Sequence, residues 1–246
     1  MNGDGPVRFE YVFKFDDGED VRFAVKLDPR SLALIREEEA QPPAWARLSE
    51  VGCAVCELDG AEHRHCPVAV SLSGVVQRFA KRFSYEKVKV QVTTAERVIS
   101  SDTSLQQALS SLIGIYMVTA GCPTMDKLRP MVRFHLPLAT LQETVYRVVS
   151  TYLLGECLRK RRGQDPDWSL DGLYRIYSDV HEVNLAFTRC IRKAAPYDAN
   201  ANALVHLDLF TDVVTLSVQD ALANLEYLFD PSYLGTAPKS EAEQGL

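Results

Sequence analysis

The sequence has no apolar run approaching the roughly 20 residues needed to cross a bilayer, and it has no basic excess. Its 27 Lys+Arg against 33 Asp+Glu leave a net charge of −6. Neither half is basic, which argues against a general DNA or RNA binder that grips phosphates by charge alone. A leader is missing too: MNGDGPVRFEYVF has no basic stretch followed by a long apolar core. The expected address is the cytoplasm, where six cysteines serve as thiols or metal ligands rather than as disulfides. Familiar catalytic patterns are also absent. There is no G-x-x-x-x-G-K-[ST], G-x-G-x-x-G or G-x-S-x-G, and His181-Glu182 lacks the second His of a metalloprotease helix.

What is present is an ordinary globular composition, 46% apolar and 24% charged. Residues 7–15 and 21–27 alternate apolar and polar around Asp16-Asp17-Gly18-Glu19-Asp20, which predicts a β-hairpin. That acidic turn lacks the spacing and terminal Glu of a calcium loop. A short helix is expected over 30–39, and Gln41-Pro42-Pro43 breaks it. From Pro67, the residues Val68, Leu72, Val75, Val76, Phe79 and Phe83 make one helical stripe. Residues 87–101 predict a second hairpin.

From Ser104 the periodicity is helical, with helices expected at 104–120, 123–129, 140–162, 169–195 and 199–229. Ser104 with Gln107, and Thr140 with Glu143, fit capping boxes. Arg159-Lys160-Arg161-Arg162-Gly163 suits a helix C-terminus better than a nucleic-acid patch. The expected fold is α+β: N-terminal antiparallel hairpins with a zinc-knuckle loop, then helices. The divisions are 1–103 for a zinc-binding domain, 104–230 for a helical domain, and 231–246 for a disordered tail.

The strongest chemical signal is Cys53-Ala-Val-Cys56 followed by His63-Arg-His-Cys66, the arrangement C-x2-C-x6-H-x2-C. Zinc takes four soft or borderline ligands in a tetrahedron, and an x2 spacing lets a tight turn offer two from one side. The expected ligands of one structural Zn2+ are Cys53, Cys56, His63 and Cys66, in a treble-clef-like knuckle. Pro67 then opens a helix whose dipole favours a thiolate at Cys66. His65 competes with His63 for the fourth place. Otherwise these are three plain thiols in a loop, or a redox CxxC.

A second polar region spans residues 119–147. Cys122 precedes Pro123 just as Cys66 precedes Pro67, so it is expected to cap a helix as an acidified thiol. Arg129, Arg133, His135 and Arg147 lie close in sequence and could line an anion pocket with Cys122, the candidate ligand-binding set being Cys122, Arg133, His135 and Arg147. Against this stands a plainer reading, in which a buried Cys packs as a small apolar residue and arginines cover helix faces. Cys157 and Cys190 lie inside predicted helices and are expected to be buried.

Eight segments carry a resemblance across nearly the whole chain. They are Cys53-x-x-Cys56, His65-Cys66-Pro67-Val68-Ala69, Ser84-Tyr85-Glu86-Lys87-Val88, Ser110-Ser111-Leu112-Ile113-Gly114, Gly121-Cys122-Pro123, Phe134-His135-Leu136-Pro137, Glu143-Thr144 and Asp198-Ala199-Asn200. In these the chain resembles an uncharacterised bacterial family of domains of unknown function. The resemblance implies a bacterial cytosolic protein and no particular chemistry. Two functions then compete. One is a non-catalytic, zinc-stabilised module for self-association or for binding a protein partner. The other is an enzyme or small-ligand or anion sensor built around Cys122, Arg133 and His135. A dry core around Cys122 would favour the first, and a polar cavity the second.

Overall fold

A computed structural model describes residues 5–36, 41–216, 222–223, 225–229, 233 and 235. The two alternating runs form the expected antiparallel hairpin, Val7–Phe15 (β1) and Asp20–Leu27 (β2). Lys87–Thr93 (β3) and Val98–Ser104 (β4) form the second. β1 pairs with β3, giving one antiparallel sheet of order β2-β1-β3-β4. Successive side chains of a strand face opposite sides, so Phe9, Tyr11, Phe13 and Phe15 all point into the core. The acidic turn of the first hairpin is held by cations. Arg82 lies 2.7 Å from Asp17 and also pairs with Glu19 and Glu86, while Arg78 sits 2.9 Å from Glu19.

Residues 30–36 are not helical. Asp28 accepts backbone N–H bonds from Arg30 (3.0 Å) and Ser31 (2.7 Å), and Leu34 bridges back to Leu27. A carboxylate that bonds the chain two and three residues ahead stabilises a turn in competition with a helix. Residues 37–39 of the expected helix lie outside the described residues.

A four-residue helix, Leu48–Val51 (α1), ends at Gly52 in the left-handed conformation (φ 56°) just before Cys53. Pro67–Arg78 (α2) packs its Val68, Leu72, Val75 and Val76 into the core. The later helices are Leu105–Thr119 (α3), Pro123–Asp126 (α4), Leu141–Arg161 (α5), Asp171–Ala194 (α6) and Ala199–Leu216 (α7). A 3-10 segment, Arg129–Phe134, joins α4 to α5. Of the long last helix expected to 229, residues 217–221 lie outside the described residues and Glu226–Leu228 is a 3-10 turn. Most of the expected disordered tail also lies outside them.

One hydrophobic cluster runs from the sheet through α2 and α3 to α6 and α7, so apolar packing crosses the expected boundary at 103/104. A smaller cluster joins Val145, Val148 and Val149 of α5 to Leu173 and Tyr177 of α6. No helix among the described residues is long and apolar enough to cross a membrane.

Candidate functional site

A cavity of about 380 Å3 lies where β4, α3, the segment before α5, and α5 to α7 meet. Its origin is legible in the side chains. On β3 the core-facing residues are Val88, Val90 and Val92, and their β4 partners are Thr103, Ser101 and Ile99. Small polar groups at 101 and 103 stand where a core strand normally carries branched apolar residues, and space is left over. α3 repeats this on its facing stripe, Gln107, Ser110, Ser111 and Gly114, at i, i+3, i+4 and i+7. Tyr177, Val180 and Asn184 of α6 and His206 and Phe210 of α7 close the far wall. An apolar void of roughly 150 Å3 already admits benzene, and small-molecule sites begin near 300 Å3.

Two sets of polar groups matter here, the first reaching from the wall residues Ser111 and His135 to Tyr11 behind them. In the first, Tyr11 Oη lies 2.7 Å from His135 Nε2 and 3.1 Å from Ser111 Oγ, and Phe9 meets the imidazole edge-on. Burial lowers the His135 pKa to about 3, with Arg147 adding to the effect, so the ring is neutral at neutral pH. Burial likewise raises the Tyr11 phenol above its ordinary value. Ser111 Oγ is 3.4 Å from the same Nε2, a weaker approach than that of Tyr11. Among the described residues no carboxylate pairs with this imidazole.

The second set is cationic. The Arg147 guanidinium donates to the main-chain carbonyls of Met131 and Phe134, both at 3.1 Å, and makes no ion pair among the described residues. Burial lowers its pKa, opposed by nearby Tyr177 and Glu143. Buried Tyr177 offers its hydroxyl to the Met131 sulfur at 3.9 Å, a weak acceptor. Asn184, 1% exposed, donates to Asp208 and Thr211, while its Oδ1 has no hydrogen-bond partner among the described residues. Leu138, also on the wall, has φ 60°, a left-handed conformation that is strained for a branched residue.

The candidate set Cys122, Arg133, His135 and Arg147 is therefore divided. His135 and Arg147 line the cavity. Arg133 lines an outer groove with Arg8, Glu10 and Arg97, which shares the wall at residues 135–136 and Arg147. Cys122 belongs to neither. Tyr11, Ser111, Tyr177 and Asn184 were not among the sequence candidates. The available signals were inward polar positions in VISSDTS and the small polar pair Ser110-Ser111.

Cys122 instead joins the other thiols. Cys66 N–H donates to Ala46 O at 2.9 Å and Leu48 N–H to Arg64 O at 3.1 Å, which lays the segment before α2 beside the chain entering α1. Thr124 Oγ1 donates to Val55 O at 3.4 Å, setting α4 against the Cys53–Cys56 turn. His63, by contrast, is exposed, and His65 is half-buried in a bridge opposite Arg47. Burial pushes the Cys66 thiol up to about 11, and it raises Cys53 and Cys122 as well, so the acidified thiol expected at Cys122 is not found. Cys190 is buried, whereas Cys157 lies on the exposed side of α5, against expectation.

Elsewhere, His181, Asp208 and Asp212 bring donor atoms within 4.8 Å of one another on α6 and α7. His181 Nδ1 stands 3.0 Å from Asp208 and 3.4 Å from Asp212, a polar clamp between the two helices.

The model of a family described as Domain of unknown function (DUF6901) matches residues 9–230. No curated protein and no solved structure matches the chain significantly.

Proposed function

The chain belongs to the DUF6901 family, whose description assigns no activity, and from its geometry we propose a small-ligand-binding domain without catalysis of its own. The ligand is a compact apolar molecule carrying one anionic group. The observation that carries this reading is Arg147, a half-buried guanidinium on the cavity wall whose hydrogen-bond partners among the described residues are carbonyls and not carboxylates. Glu143 is near enough to act on this cation electrostatically but gives its carboxylate to the cap of α5, and a bound carboxylate would compensate the partly desolvated guanidinium directly through a charge-assisted pair. Tyr177 is placed to add a second donor. The Met, Leu, Val and Phe side chains of the wall suit the apolar body. Asn184 Oδ1 gives a further acceptor for a ligand donor.

The catalytic alternative is weaker because His135 Nε2 is engaged by Tyr11 at 2.7 Å and the ring is neutral by burial, without an orienting acid. The test uses 8-anilinonaphthalene-1-sulfonate, an apolar anion, as a fluorescent probe on the folded chain, followed by competition with aryl and short alkyl carboxylates. Saturable binding, weakened about tenfold or more by Arg147→Met and abolished by Ser111→Leu, is expected for one lost charge-assisted contact and a filled cavity. Equal binding by both variants would move the ligand out of this cavity.

A further inference from the structure

Three segments distant in sequence bring four of the six cysteines near one another, while His63 is exposed in the loop between two of them. We propose that Cys53, Cys56, Cys66 and Cys122 form a four-thiolate site for one structural zinc ion, with Cys122 in the position that sequence spacing assigns to His63. The two Cys-Pro corners are the first support. Cys66 and Cys122 each precede a helix that starts with proline, α2 and α4, and both have extended backbone (ψ 123° in each). Backbone N–H groups of Val68 and Ala69 are directed at the Cys66 sulfur, those of Thr124 and Met125 at the Cys122 sulfur, and that of Val55 at the Cys53 sulfur. N–H groups two and three residues ahead of a cysteine are donors to a thiolate, and zinc binds thiolates.

The second support is how the corners are tied together. Arg36 Nη2 donates to Pro67 O at 3.2 Å and Ala120 O at 3.4 Å, bridging the chain beside Cys66 to the chain beside Cys122. Thr124 reaches Val55 O inside the Cys53–Cys56 turn. Cys53 and Cys122 pack against one apolar cluster that includes Cys66. Cys122 is an electrostatic neighbour of Cys53, Cys56 and Cys66. No three sulfurs yet lie within 4.8 Å of one another. Since Cys53, Cys66 and Cys122 do not form such a group by themselves, closing the shell calls for side-chain movement of at least one of these three as well as of exposed Cys56.

Four sulfurs and no histidine select a tetrahedral, thiophilic cation with no open position, which is a structural site. Such an ion would tie the loop after α1 to the α3–α4 corner. It would also hold α4, whose Met125 lines the cavity.

The test starts with the whole chain purified under reducing conditions and a metal analysis, with one zinc per chain expected. Alkylation is then mapped by mass spectrometry with and without a chelator. Cys53, Cys56, Cys66 and Cys122 should label together only after zinc is removed, while exposed Cys157 labels at the same rate in both. His63→Ala should leave zinc affinity within about twofold, and Cys122→Ser should lower it about 100-fold or more, since each ligand carries a large share of structural zinc binding. If Cys122→Ser does not fold, the labelling of the unaltered chain decides alone. Cys122 labelling that is indifferent to the chelator, zinc lost on His63→Ala, iron in place of zinc, or a disulfide among these cysteines would each overturn the assignment.

Discussion

At the scale of single residues, burial decides the chemistry more than residue type does. His135 would titrate near 6.5 in an unfolded chain, yet in the fold it is held at about 3 by desolvation and nearby Arg147. Below its ordinary value the unfolded state therefore binds a proton that the folded state refuses. Stability should be complete above pH 6.5, fall as pH drops towards 3, and level off beneath that. His206, also lowered by burial, adds to the same loss. Urea unfolding between pH 7 and 4 should show this slope, and His135→Gln should flatten it in part. An unchanged slope in that variant would mean the imidazole is not the titrating group. His135 was visible in the sequence as a histidine among arginines. Its partner Tyr11, 124 residues away, was not.

Among the elements, α5 shows where local rules suffice. Thr140 Oγ1 accepts from Glu143 N–H at 3.2 Å and the Glu143 carboxylate accepts from Thr140 N–H at 2.7 Å, the full capping box that the sequence predicts. Thr140→Ala should destabilise the chain by about 1 kcal/mol, read from the denaturation midpoint. A change below a few tenths would show that tertiary packing alone sets the start of α5. The same motif at Ser104 and Gln107 does not close. Those side chains bond each other at 3.3 Å, and Ser104 also ends β4. Its Leu105 N–H donates instead to Glu86 O at 2.8 Å. A cap depends on the backbone that precedes it, and here a strand does.

For the molecule as a whole, the cavity is a packing decision taken by several elements together. Ser101→Val would supply the apolar bulk that β4 withholds. The expected result is a gain of roughly 0.5–1 kcal/mol in stability, from β propensity and a filled void, with weaker probe binding. Loss of stability instead would show that Ser101 has polar neighbours that need it. The opposition of stability and binding in one variant is what a ligand cavity predicts, because the space that costs cohesion is the space that the ligand fills.

By itself the sequence determined both hairpins, the helical second half, the capped start of α5, and a cysteine-rich loop ahead of a proline-led helix. Each of these rests on neighbours within a few residues: alternation, helical period, caps and turn residues. Tertiary structure decided the grouping. Nothing within local reach tells that Cys122 lies by Cys53 and Cys66 while His63 faces solvent, or that Arg147 and His135 share a cavity which Arg133 and Cys122 do not. Those groupings follow from the order β2-β1-β3-β4 and from helices closing over one face of that sheet, and long-range packing alone sets them.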